Sequence, residues 1–221
     1  MRLCLQEWFR VCLYMANEYP HLVWVDCEMT GLDTVKDVLV EIAVLATDSE
    51  LNIIGEGVDL VIKASAEQLA GMNVFVTKMH TDSGLINDIP KGVSVSEAEE
   101  LILKYLEAAG VTAGKSPIAG NSVYVDRIFI NRDMPKLSEY LHYRTVDVSS
   151  IKELTRRWFP KVYFNSPAKT GNHRALGDIK DSIAELAFYR KTVFVDQPGP
   201  QSADIKQIAA AFNGEATTTE G

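Results

Sequence analysis

Residues 21–26, His-Leu-Val-Trp-Val-Asp, form an apolar, β-rich run that leads into two carboxylates, Asp26 and Glu28. A run of this composition belongs inside a sheet, as a buried strand. Side chains two apart on a strand project to the same face, so the two acids stand side by side. Like charges at such a place repel, and burying each without a partner costs several kcal/mol. Either this strand end is solvated and the acids are ordinary surface groups, or a cation lies between them. Two oxygen donors of this kind favour Mg²⁺ or Mn²⁺ over zinc.

The chain that follows alternates strands with helices. Val38 to Thr47 and Ile53 to Lys63 read as two more strands joined by a turn over residues 48–52, which predicts a three-stranded antiparallel meander. Residues 94–109 show helical spacing, with Ser94 and Glu97 set as a capping box and Gly110 as the stop. Ser116 to Asn121 predicts a short strand, Val123 to Asp133 a helix, Arg144 to Val148 a fifth strand. Ser150 and Glu153 suggest a capping box for a helix ending at Trp158, and Arg174 to Arg190 is the last strong helix of the body. Meander first, strand–helix alternation after, predicts an α/β domain with a mixed five-stranded sheet flanked by helices.

Three segments follow from this pattern. Residues 1–21 form an N-terminal extension, read either as a short amphipathic helix or as residues ahead of the natural start. Residues 22–191 form the domain body, and residues 192–221 a tail. Within the tail, the Pro-Gly-Pro of residues 198–200 breaks the chain, Ile205, Ile208, Ala209 and Phe212 mark a helical stripe, and the end is expected to lack order. The first twenty residues are interrupted by Gln6, Glu7 and Arg10, too polar for a signal-peptide core. No run approaches a membrane span. Three cysteines (Cys4, Cys12 and Cys27) make no C-x-x-C pair, so a reducing, cytoplasmic setting is expected.

Net charge is −8. Proteins that grip long duplexes through many phosphates need a basic face, and this composition argues against that class. A substrate of a few nucleotides remains compatible, because bound cations supply the positive charge that side chains lack.

Two further pieces carry acids. In Gly120-Asn-Ser-Val-Tyr-Val-Asp126, a strand end gives way to a helix with Asp126 in its first turn. Sites in α/β folds gather beyond strand carboxyl ends, although an acid there also serves simply to complement the helix dipole. In His173-Arg-Ala-Leu-Gly-Asp178, a histidine stands five residues ahead of an acid. If His173 lies on a loop and Asp178 within the first helical turns, the two converge. A histidine titrating near 6.5 accepts a proton from water at neutral pH.

Taken together, the four acids and the histidine resemble the DEDDh exonucleases. The likeness extends to Val25-Asp-Cys-Glu-Met-Thr-Gly-Leu-Asp33, Gly114-Lys-Ser-Pro-Ile-Ala-Gly-Asn-Ser122, His142-Tyr-Arg144, Asp147-Val-Ser-Ser150 and the run from His173 to Ile179. In that order these are similar to the oligoribonuclease family across residues 22–191. The resemblance implies a ribonuclease H-like fold, a homodimer, and 3′-to-5′ hydrolysis of short single-stranded RNA to nucleoside 5′-monophosphates. It implies that Asp26, Glu28, Asp126 and Asp178 hold two divalent cations, Mg²⁺ or Mn²⁺, with His173 as general base. Leu32 would wedge against a base and Phe75 would stack on one. Ser122, Arg144, Ser149 and Ser150 would cap the 5′ phosphate, and Tyr143 would enter from the other subunit.

The sequence departs from the family at two of these positions. Phe75 stands where the family often has Trp, offering less stacking area. Gly177 stands where the family often has a second acid, and a glycine there weakens the helix by roughly 1 kcal/mol. Three other readings remain in view. A DEDDh enzyme acting on DNA 3′ ends uses the same acids. Asp26-x-Glu28-x-Thr30 is similar to the D-x-D-x-T signature of haloacid dehalogenase-like phosphatases, but leaves His173 and Asp126 without a role. A non-catalytic module binding RNA ends needs no complete set of acids.

Overall fold

A computed structural model describes residues 21–168 and 174–212. The sheet has the order β3-β2-β1-β4-β5. Strands β1 (His21–Met29), β2 (Leu39–Asp48) and β3 (Ile53–Val61) form the antiparallel meander. β4 (Pro117–Gly120) and β5 (His142–Asp147) extend it in parallel on the other side of β1. The sheet is therefore mixed, as the sequence pattern predicts.

Strand alternation sorts the core into two layers. On one face Val23, Val25, Ile42, Val44 and Ala46 pack with helix α4 (Val95–Ala108), helix α5 (Tyr124–Asp133) and helix α6 (Pro135–Tyr140). On the other face Trp24, Ala43 and Leu45 pack under α9 (Ala175–Thr192), through Ala175, Ile179, Ile183, Leu186 and Tyr189. Asp26 and Glu28 continue the series that begins at Trp24, and Glu41 continues that of Ala43 and Leu45. All three acids thus belong to the face that α9 covers.

Three short helices before α4, namely α1 (Ala66–Ala70), α2 (Val74–Asp82) and α3 (Leu85–Asp88), escape the periodicity argument. None is long enough to establish a 3.6-residue repeat, and their caps are local: Ser65 forms a capping box with Gln68, and Asn73 accepts from the Val76 N–H. At α4 the structure records the forward half of the expected capping box, with Ser94 Oγ accepting from the Glu97 N–H. Its exit is a Schellman turn, with Gly110 N–H donating to Glu107 and Val111 N–H to Leu106.

Helix α7 (Val148–Trp158) begins three residues earlier than a cap at Ser150 would allow. Its cap is Asp147, whose carboxylate accepts from the Ser149 N–H. β5 likewise begins at His142 rather than Arg144. A four-residue helix, α8 (Pro160–Tyr163), follows α7. The tail stripe is real helix, α10 (Ser202–Phe212), with Ile205, Ile208 and Phe212 exposed. Residues 1–20 and 213–221 lie outside the described residues. Among those described, no helix is long and apolar enough to cross a membrane.

Candidate active site

Asp26, Glu28 and Asp178 each present a carboxylate oxygen within 4.8 Å of the others. The first two come from the end of β1 and the third from the first turn of α9. Asp126 reaches the same strand end from α5. β4 stops at Gly120, so beyond it the Cys27 N–H has no strand neighbour on that side, and Asp126 Oδ1 accepts from it at 2.8 Å. Gly120 permits this close passage, since a Cβ there would lie 2.7 Å from the Val25 carbonyl oxygen.

Burial and mutual repulsion raise the proton affinity of these acids. Burial, followed by the charges of Asp126, Asp178, Glu28 and Glu41, pushes Asp26 well above the usual carboxylate range. Glu28 is pushed up to about 8 by burial and then by Glu41, Asp178 and Asp126. Asp126 is pushed up to about 7, mainly by burial. Such a cluster either keeps protons or takes up positive charge. Its donors are all carboxylate oxygens, which fits a hard divalent cation.

Glu41 is a fifth acid, which the motif reading passed over. It is fully buried and opposite Glu28 in the β1–β2 register. Arg174 Nε donates to Glu41 Oε1 at 2.7 Å and the Ala175 N–H to Oε2 at 3.0 Å. Glu41 therefore ties down the N-terminus of α9, one turn ahead of Asp178. A charged residue inside Val38-Leu-Val-Glu-Ile-Ala-Val-Leu45 is the sequence signal that points to it. His80 is a second missed residue. It is fully buried on α2, its Nε2 is 2.9 Å from the Met29 carbonyl oxygen, and its Nδ1 is 3.9 Å from Glu28.

Leu32, Phe75 and Tyr143 are 72%, 76% and 77% exposed. Such exposure rules out core packing for Leu32 and Phe75. Ser122 and Ser149 meet through the Asp147 carboxylate. Ser122, at φ 51°, donates its N–H to Asp147 Oδ1, the oxygen that also receives Ser149 N–H. Ser122 Oγ donates to Ser149 Oγ at 3.2 Å, and Ser149 to the Asn121 side-chain oxygen at 3.1 Å. Asn121 in turn donates to Ser182 and Glu185 of α9. Ser122, Ser149 and Ser150 share an open cleft of about 560 Å³, whose cation is Arg157 rather than Arg144. Arg144 is exposed on β5 beside Tyr143. His173 lies outside the described residues.

The RNase_T exonuclease family matches residues 23–186 of this chain. An oligoribonuclease from Streptomyces griseus is 55% identical over 195 residues, which is 88% of this chain and 97% of the relative. The chain belongs to the oligoribonuclease family. A further member, from Rhodococcus jostii (strain RHA1), is 56% identical over 85% of this chain and 94% of its own length. Among solved structures, E. coli exonuclease I in complex with a dA16 oligonucleotide superimposes with a TM-score of 0.63 at 16% identity, over 79% of this chain and 41% of that one. The fold is thus that of the exonucleases, ribonuclease H-like, and the chain is a nuclease. Membership in this family removes the phosphatase alternative.

Proposed function

We propose that this protein is a 3′-to-5′ exoribonuclease that degrades short oligoribonucleotides, down to dinucleotides, to nucleoside 5′-monophosphates. The observation that carries the reading is the gathering of Asp26, Glu28 and Asp178 within 4.8 Å, with Asp126 at the same strand end. These four carboxylates would hold two cations, Mg²⁺ or Mn²⁺. Bound there, the cations would activate a water and stabilise the charge that builds on the scissile phosphate. His173 would take the proton from that water.

The remaining residues explain why the substrate is short. Leu32 and Phe75 would hold the bases, and their exposure supports that role. Ser122, Ser149 and Ser150 would close on the 5′ phosphate together with Arg144, whose planar fork matches a phosphate. A cap at that position ends the site after about two nucleotides. The relatives' name, oligoribonuclease, supports RNA over DNA as substrate.

A homodimer fits the surface. α7 exposes Leu154 and Trp158, and Phe159 and Phe164 are exposed at the two ends of α8, apolar side chains that a docked partner would cover. A partner docked there would contribute Tyr143, and sedimentation of the purified chain as a monomer would remove this part. Residues 22–191 form the catalytic unit in this reading, working in a reducing compartment such as the cytoplasm, where buried Cys27 stays a thiol.

The test is incubation with labelled RNAs of two, five and twenty nucleotides, with and without Mg²⁺. Release of 5′-mononucleotides from the short RNAs, only with metal, is expected. Asp126→Asn should abolish it while leaving the melting temperature near that of the parent. Full activity of that variant, or equal rates on all lengths, contradicts the proposal.

A further inference from the structure

We infer that Arg132 and Asp37 are positioning residues, which hold the loop between β1 and β2 so that Leu32 is presented to a substrate base. The inference rests on the oligonucleotide-binding reading of Leu32 above.

The loop begins where β1 ends. Thr30 N–H donates to the Val38 carbonyl, and the Val38 N–H donates back to Thr30 Oγ1 at 3.1 Å, so its two ends are clasped. Asp37 spans the inside. Its Oδ1 accepts from Thr30 Oγ1 at 3.0 Å and its Oδ2 from the Asp33 N–H at 2.8 Å. Gly31 leaves the room for this carboxylate, because a Cβ at position 31 would lie 2.4 Å from Asp37 Oδ2. Moving the carboxylate aside would break both of its hydrogen bonds.

From outside, Arg132 of α5 grips the same loop. Its Nη1 donates to the Thr34 carbonyl at 2.6 Å and its Nη2 to the Asp37 carbonyl at 2.8 Å. The guanidinium is itself held: Asp133 accepts from Nε at 2.7 Å and from Nη2 at 2.6 Å, and the Phe129 ring lies 4.9 Å below it. Two carbonyls bound by one rigid fork is a geometry that a lysine does not reproduce.

Leu32 lies inside this clasp yet is largely exposed and belongs to no hydrophobic cluster. Packing does not fix it, so its place is set by the backbone on either side. A loop already ordered before binding spares the complex that ordering cost, and the benefit falls on affinity. α5 also carries Asp126, so one helix sets both a metal-binding acid and the loop that meets the base.

The experiment is a double-mutant cycle on a 5′-phosphorylated diribonucleotide, comparing Arg132→Met, Leu32→Ala and the pair. Arg132→Met alone is expected to raise KM about tenfold, with kcat changed less than about twofold. In the Leu32→Ala background it should add less than about twofold. Arg132→Lys should recover only part of the loss. Gly31→Ala, which displaces Asp37 without touching Arg132, should reproduce the rise in KM and carries the test if Arg132→Met does not fold. An undiminished rise in KM in the Leu32→Ala background would overturn the inference while leaving the role of Leu32 intact. A loss confined to kcat would also overturn it, placing Arg132 with Asp126 instead. If Leu32→Ala by itself left KM unchanged, the reading of Leu32 would fail and the inference with it.

Discussion

Gly177 stands immediately before Asp178 in the first turn of α9, where the family often carries an acid. A Cβ placed there meets nothing within 4 Å, so no steric reason requires glycine. Gly177→Ala should therefore stabilise the protein by up to about 1 kcal/mol through helix propensity. For a chain of this size that is a rise in melting temperature of about 2–4 °C, read by thermal denaturation. Cleavage should persist in this variant. A fall in Tm would mean that the glycine has a backbone role that the open space around it does not suggest. At this scale much was legible in the sequence: strand alternation sets Asp26 and Glu28 side by side, and it is the resemblance across the motifs that joins Asp126 and Asp178 to them. The cation of the serine cleft was less so: Arg157, two turns along α7, lines it, and no spacing rule connects it to Ser122. Asp147 was hidden for a similar reason: its N-cap role depends on where β5 ends, which propensity places only to within a few residues.

The elements bring the acids together, and Glu41 shows how. It joins β2 to α9 through Arg174 and the Ala175 N–H, fully out of solvent. Glu41→Ala would leave the buried Ala175 N–H without its acceptor and Arg174 with only the longer contact to Asp88, at 3.7 Å. Breaking a buried pair from one side costs about 3–5 kcal/mol, and a loss of that size should appear in denaturant unfolding. The solvent-facing pair Arg190–Glu50, at 2.7 Å, is the control, and Glu50→Ala should cost less than about 1 kcal/mol. Equal losses for the two variants would show that Glu41 is not the tie between sheet and helix. Apolar, β-rich runs found β1 and β2, and helical spacing found α4. It missed α1 to α3, which are held by caps and by burial of Leu85, Ile89 and His80 rather than by a repeating face. Alternation along β1 placed Asp26 and Glu28 on one face, but nothing local said that α9 would cover that face.

For the whole molecule, the crowded acids link stability to pH and to metal. In the metal-free protein Glu28 holds its proton up to about 8, against an ordinary value of 4.5, and Asp126 up to about 7, against 3.8. Both folded values are raised, so the folded chain keeps protons that the unfolded chain releases. The stability they contribute is full below the unfolded values and is lost as pH rises toward about 8. Metal-free protein should therefore melt at lower temperature at about pH 8 than at about pH 5. Added Mn²⁺ should reverse this, raising Tm more at the higher pH, because cation and protons compete for the same oxygens. A metal-induced rise in Tm that is larger at about pH 5 would contradict that linkage. The account as a whole depends on the four carboxylates forming one cation site. The most direct measurement is anomalous diffraction from a crystal soaked in Mn²⁺. Density for bound manganese about 2.1 Å from oxygens of Asp26, Glu28, Asp126 and Asp178 is the predicted result. Manganese bound elsewhere, with these four side chains turned away from one another, would contradict it.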